Sequence, residues 1–327
     1  MPARQRYSRR KVLAGLAGTL AAGAASDALA AHDAKTTVVR VESPTVWKGE
    51  RRDPQVIREM VQVGLLRLTG ESTPAAAWNR FLRPDTKVGL KINLLGAPAI
   101  YTAPEITEVV AAAAIAAGIA PADLIVWDRY QEHFRRHGVE YTLGAQPSGF
   151  TVRAGGLYDS ARQALTRPGP APIDTLAAQA TEVTINLPVL KDHNNAGVTG
   201  ALKNVAFGCF SHPDRAHEDC CDPYIAEAYA HFVRHNAVPL VIMDATRACF
   251  EGGPRADNPA HRWKENAIYL ATDPVAIDFV AMQRIMRKRR EMDVPDKTAM
   301  CIHLATAAAK GLGTNDPARI ALATVRV

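Results

Sequence analysis

Two apolar runs that each end on aspartate, Leu124-Ile125-Val126-Trp127-Asp128 and Leu240-Val241-Ile242-Met243-Asp244, restrict what this chain can fold into. Short, continuous apolar runs read as strands buried on both faces, and such strands belong to parallel sheets covered by helices. The stretch before the first run agrees. Val88-Gly89-Leu90-Lys91-Ile92-Asn93-Leu94 reads as another buried strand. Thr102-Ala103-Pro104-Glu105 then reads as a capping box, with Thr102 as N-cap and Pro104 in the first turn. The spacing predicts a helix over 105–117, closed by Gly118 as the C′ residue. Strand, helix and strand joined by short links make a right-handed crossover in a parallel sheet.

A second stretch repeats the plan. A strand is expected over 182–190, a loop over 191–200, a helix from about Thr199, another over 224–235, and a strand at Leu240 to Asp244. Ile92-Asn93-Leu94 and Ile185-Asn186-Leu187 share wording, which suggests two similar βαβ halves. A further strand over 267–272 leads to Asp273 as N-cap and Pro274 at the first position of a helix running to about Arg290. The segment 138–172 is rich in Gly and Pro and reads as an elaborated connection with a short strand at Phe150-Thr151-Val152, and 320–327 reads as an edge strand. The expected fold class is therefore α/β, a mostly parallel sheet flanked by helices.

The front of the chain has a different character. Ser8-Arg9-Arg10-Lys11-Val12-Leu13 precedes an almost wholly Leu, Ala and Gly run, and Ala28-Leu29-Ala30 supplies a small-x-small site. Charged, apolar and small-residue regions in this order read as a signal peptide, and the arginine pair marks the twin-arginine class. The run is too short and too rich in Gly and Ala to span about 30 Å of hydrocarbon, so no stable membrane span is expected. These features predict a leader over 1–30 that engages the twin-arginine translocase, cleavage near Ala30, a periplasmic location, and a single α/β domain over 31–327. Removing residues 1–30 changes the charge from +6 to about +2, with 34 basic and 32 acidic residues remaining. No basic stripe interleaved with aromatics is left, so nucleic acid is not an expected partner. The basic run 284–290 reads as a solvated last helical turn.

Ligands of open α/β sheets sit beyond the carboxyl ends of the strands, and polar residues collect there. Asp128 and Asp244 each close a strand, where they serve either the site or the following turn, and Lys91 and Asn93 lie at the end of theirs. After the strand ending at Leu190 come Lys191, Asp192, His193, Asn194 and Asn195, more ligand-capable side chains than a turn requires. Gly197-Val198-Thr199-Gly200-Ala201-Leu202-Lys203-Asn204 follows. Its glycines either let backbone approach a ligand or serve close packing, and the helix N-terminus with Lys203 offers an anion site. The spacing is not that of a phosphate-binding P-loop. A third cluster, Cys209, His212, His217, Cys220 and Cys221, could hold zinc, copper or iron, or form a disulfide from Cys209 to Cys220 or Cys221. Without a CxxC, no cysteine-only iron–sulfur cluster is expected. Cys249 and Cys301 read as core thiols, and His133 and His137 as an exposed helix face.

The segments Lys91-Ile92-Asn93, Asp128, Leu190 to Asn204, Asp244-Ala245, Gly252-Gly253-Pro254 and Thr272-Asp273-Pro274-Val275-Ala276-Ile277-Asp278 together resemble the family called domain of unknown function 362. The resemblance covers roughly residues 87–290. It implies the same fold, and many relatives look similarly exported. Some relatives carry ferredoxin-type cysteine motifs, which this sequence lacks. The leading reading is an enzyme that binds a small anionic molecule through Lys191, His193, Lys203 and Asn204, with His193 for acid–base work, and with Asp128 and Asp244 orienting that loop or completing a metal shell. A non-catalytic binding protein using the same loop, and a metal or redox module built on the cysteine–histidine segment, are the alternatives.

Overall fold

The strands marked as apolar on both faces pair side by side in the computed structural model, which describes residues 35–327. The leader expected over 1–30 lies outside the described residues. The principal strands are β1 (Thr36–Glu42), β2 (Val88–Lys91), β3 (Leu124–Asp128), β4 (Thr151–Ala154), β5 (Val183–Asn186), β6 (Val189–His193), β7 (Ala237–Cys249), β8 (Ala267–Ala271) and β9 (Ile320–Arg326). They lie in the order β9-β1-β8-β7-β5-β2-β3-β4. The run from β7 to β4 is parallel throughout, with Val183 opposite Val88 and Val88 opposite Leu124. β8 runs antiparallel between β7 and β1, and β9 closes that edge parallel to β1. The expected mostly parallel α/β sheet and its last edge strand are present.

Helices cover both faces. α1 (Pro54–Thr69) and α2 (Pro104–Ala116) bury Ile57, Leu65, Ile106 and Val110 with the sheet residues Leu90, Val126, Ile242 and Leu270. On the other face α3 (Gly200–Ala206), α4 (Tyr224–Phe232), α5 (Pro274–Glu291) and α6 (Ile302–Ala309) bury Leu202, Val205, Phe232, Ile277 and Leu304 with Trp127, Val241 and Met243. Each such side chain contributes roughly 1.5–3 kcal/mol on leaving water, so a sheet apolar on both sides needs both layers. The connection from β2 through α2 leads outward to β3, whereas that from β5 through α3 and α4 leads the opposite way to β7. The two βαβ halves diverge from the β2–β5 pair. This is the switch point beyond which open α/β sheets leave a crevice.

Several local expectations are revised. The strand expected over 182–190 breaks, and Lys191, Asp192 and His193 are strand and not loop. Here β6 shifts sideways to pair with the far end of β7, Val189 opposite Asp244 and Lys191 opposite Cys249. The capping box at Thr102 does not form. Its hydroxyl donates to the Leu187 carbonyl at 2.7 Å, and the amide of Ala103 at the start of α2 donates to Asp244 Oδ2 at 2.9 Å. Glu105 instead accepts the amide of Arg52 at 3.2 Å. Gly118 does close α2 with φ +100°, and Asp273 does cap α5, accepting the amides of Val275 and Ala276. In the run 284–290, Arg284 donates to Glu265 and the buried Arg289 to the carbonyls of Phe250 and Pro295. That last turn is therefore partly a structural clamp and not simply solvated. Among the described residues no helix is long and apolar enough to cross a membrane.

Candidate functional site

The crevice at the switch point is a cleft of about 210 Å³. Its wall at the ends of β2 and β3 carries Lys91, Asn93, Asp128, Arg129, Tyr130 and His133. Its second wall carries His193 from β6, Thr199, Lys203, Asn204 and Phe207 from α3 and its flanks, and Pro213, Asp214 and His217 from the segment after it. Chain segments far apart in sequence meet here because parallel strands all present their carboxyl ends on one side.

On the first wall the Lys91–Asp128 pair is electrostatically satisfied. Lys91 Nζ donates to Asp128 Oδ1 and to the Ile92 carbonyl, both at 2.7 Å, while Asp128 Oδ2 accepts the amide of Leu94 at 2.6 Å. Burial alone would raise the Asp128 carboxyl, but Lys91, helped by His133, holds it well below the usual range. His133 Nδ1 lies 3.9 Å from Asp128 Oδ2. Arg129 donates from Nε to Tyr158 Oη at 2.9 Å and from Nη1 to the Phe207 carbonyl at 2.8 Å.

Behind the cleft a buried polar chain ties the two walls together. Lys191 Nζ donates to Asn93 Oδ1, Asn93 Nδ2 to Asn204 Oδ1, Asn204 Nδ2 to Asn186 Oδ1 and Asn186 Nδ2 to the Ala201 carbonyl, at 2.7, 2.9, 2.7 and 2.9 Å. A lysine only donates and a carbonyl only accepts, so the two ends set the direction of every amide between them. Lys191 is fully buried with no carboxylate within 4 Å among the described residues, and burial draws its amine down to about 8.

The second wall is not satisfied. Lys203 is buried, its amine set against the Phe207 ring and 3.8 Å from Cys221 Sγ, with no carboxylate in reach among the described residues. Burial, reinforced by Lys191, draws it down to about 7. His193 Nδ1 accepts the amides of Asn195 and Ala196 at 3.0 and 3.2 Å, which places its proton on Nε2. Burial first and Lys203 second hold the ring neutral, far below the usual histidine value. His217 lies parallel to it with ring centres 5.8 Å apart.

A family model described as Domain of unknown function (DUF362) matches residues 88–283, a stretch that contains every cleft residue named above. The chain belongs to this family. No curated protein matches it. A crystal structure of a Thermotoga maritima protein, a structural-genomics target, overlaps this DUF362 chain with a TM-score of 0.38 and 10% identity, covering 60% of this chain and 51% of the other. The match thus spans about half the length of that protein.

Of the residues singled out from the sequence of this DUF362 protein, Lys91, Asn93, Asp128, His193, Thr199, Lys203 and Asn204 line the cleft, and Lys191 stands behind Asn93. Others are elsewhere for clear reasons. Asp244 is fully buried and spends its carboxylate on the amides of Ala103 and Thr246 and the Thr246 hydroxyl, so it is a structural acceptor outside the cleft. Strand alternation points Asp192 away from Lys191 and His193, to Lys297 Nζ at 3.0 Å and the Gly253 amide at 2.8 Å. Asn194 is exposed, 3.4 Å from Lys297 Nζ. The helix N-terminus offered to an anion is already filled: Asp278 of α5 accepts the amides of Ala201 and Leu202 at 2.5 and 2.9 Å. Gly200, at φ +58°, is required because a β-carbon there would overlap the Asp278 carboxylate, and one on Gly197 would overlap Cys301 Sγ. These two glycines serve packing.

The cysteine–histidine cluster does not come together. Among the described residues no group of three or more His, Cys, Asp or Glu could hold a metal ion, and all five cysteines are free thiols. Cys209 is buried in the core, His212 is exposed at φ +50°, and Cys220 is partly buried. His217 lines the cleft, stacked on His193, and Cys221 is buried beside Lys203, so the two share no ligand shell. The sequence reading missed Arg129, Tyr130 and Phe207, and placed His133 on an exposed face although it is buried. Arg129 and Tyr130 directly follow the strand-ending Asp128, the position that could have drawn attention to them.

Proposed function

We propose that this protein binds a small anionic molecule in the switch-point cleft and moves protons on it. The observation that carries this reading is the buried amine of Lys203, which faces the cleft with no carboxylate within 4 Å among the described residues, while Arg129 on the other wall and Lys191 behind the cleft add further positive charge. A buried cation without a partner is costly, and a bound anion supplies the missing charge. The roles within the site follow from the local chemistry. His193, neutral and with its proton on Nε2, donates to a ligand oxygen, the acid side of the acid–base work expected of it. Lys203 loses and regains its proton near neutral pH, the range in which general acid–base catalysis is most effective. Asn93 and Asn204, fixed by the amide chain, orient the ligand.

The test is isothermal titration calorimetry with inorganic phosphate and with acetate, on the wild type, Lys203→Met and His193→Ala. Binding should weaken at least tenfold on loss of Lys203 and less on loss of His193. Equal affinity in all three proteins would sink the reading.

We further propose that the chain is exported in folded form by the twin-arginine route and matures near Ala30, on the strength of Arg9, Arg10 and the Leu/Ala/Gly run that follows. Replacing both Arg9 and Arg10 by Lys should retain the protein in the cytoplasmic fraction. Unchanged fractionation would rule the route out.

A further inference from the structure

We propose that Lys203 is a nucleophile whose ε-amine forms an iminium with a small aldehyde or ketone that carries a carboxylate or phosphate. This names the substrate class for the anion cleft and rests on that reading of it. The first support is the contrast with Lys91, whose amine makes an ion pair with Asp128 and a hydrogen bond to a backbone carbonyl. Lys203 has neither. It sits against an aromatic face and a thiol in a buried site open to the cleft, with its charge unopposed. A lysine placed only to neutralise a fixed charge needs no such desolvation, whereas an amine that must attack carbon has to be free of its proton, and an apolar site near another cation is one way to achieve this.

The second support is the distribution of the other groups. Arg129 donates through Nε and Nη1 to protein atoms, and its Nη2 makes no hydrogen bond among the described residues. The residue whose backbone carbonyl it holds is Phe207, whose ring lies on Lys203, so an anchor for an anionic group and a nucleophile contact one residue, through its backbone and its ring. His193 and His217 stand parallel on the same wall. In the reaction the Nζ lone pair forms the C–N bond while the carbonyl π pair moves onto oxygen. A proton passes from nitrogen to that oxygen, a second proton reaches it from solvent through the open cleft, and it leaves as water. Amine, carbonyl and one proton become iminium and water, with no change in oxidation state.

The experiment uses the mature chain with glyoxylate, pyruvate and glycolaldehyde phosphate in turn, each quenched with borohydride, which delivers hydride to an iminium and fixes it as a stable secondary amine. Peptide mass mapping then locates the adduct. Lys203 should be modified at least tenfold more than any other lysine with one or more of the three probes, and Lys203→Arg, folded by circular dichroism, should show no adduct at position 203 or elsewhere above background. If Lys203→Arg does not fold, Lys203→Met, which leaves an apolar chain in an apolar site, takes its place. Calorimetry of the wild type with acetate and phosphate runs alongside. Anion binding without an adduct on Lys203 overturns the nucleophile and leaves the anion site standing. Absence of both overturns the two together, and an adduct spread evenly over the lysines also overturns the proposal.

Discussion

Lys91 and Lys203 line the same cleft, and nearly everything about their surroundings differs. Lys91 ends a central strand, pairs with Asp128 across to the neighbouring strand, and closes its remaining hydrogen bonds on backbone. Lys203 lies on a short helix against a ring and a thiol, with no carboxylate within 4 Å among the described residues. The Lys91 charge is answered without a ligand and the Lys203 charge is not. Burial of a side chain therefore says little by itself. What distinguishes scaffold from site here is whether the buried charge is answered from within the protein.

The same chemical change should consequently act in opposite directions on the two walls. Lys91→Met leaves the Asp128 carboxylate buried with its cation gone, and should destabilise the fold by about 3–5 kcal/mol in urea denaturation. Adding Asp128→Asn should recover part of that loss, and a double mutant no better than the single one would contradict the pairing. Lys203→Met removes an unanswered charge and should stabilise the fold by about 1–4 kcal/mol at pH 6, while abolishing anion binding. The pH dependence sharpens the contrast. The folded state releases the Lys203 proton near pH 7, whereas the unfolded chain holds it until near the ordinary lysine value. Between those limits the unfolded state binds more protons, so stability rises with pH. The difference in stability between wild type and Lys203→Met should therefore shrink from pH 6 to pH 9. A constant difference would show that Lys203 is not drawn down. The smallest effect belongs to Asp244→Asn, which keeps an oxygen acceptor for Thr246 but turns an amide nitrogen toward the Ala103 amide, and should cost about 1–3 kcal/mol without changing anion affinity.

The scaffold was more legible in the sequence than the site because its signals are local. The apolar runs at 88–94, 124–128 and 240–244, the glycine after α2 and the Asp273-Pro274 start of α5 each carry their structural reason within a few residues. The parts misread depend on distant partners. Lys191 to His193 is too polar to look like a strand, but it continues the sheet edge because β7 extends to Cys249 and offers it a partner. His133 stands among arginines in sequence, and only the fold turns it inward toward Asp128. The anion site expected at the start of α3 failed because Asp278, far along the chain, already occupies it. The candidate metal ligands fall close together in sequence, but the turns between them send the side chains to the core, to solvent and to the cleft.

The two borrowed helix caps also bear on how the molecule comes together. Asp244 reaches back 141 residues to Ala103, and Asp278 reaches back 77 to Ala201. A chain emerging from the ribosome has made α2 and α3 long before it has made the carboxylates that complete their first turns, and α3 is too short to persist alone. The α3 wall of the cleft is thus locked late, by a segment that contributes no side chain to it. A fragment ending before Asp278 would contain every lysine, histidine and asparagine discussed for the site, yet lack the piece that holds α3 at the crevice.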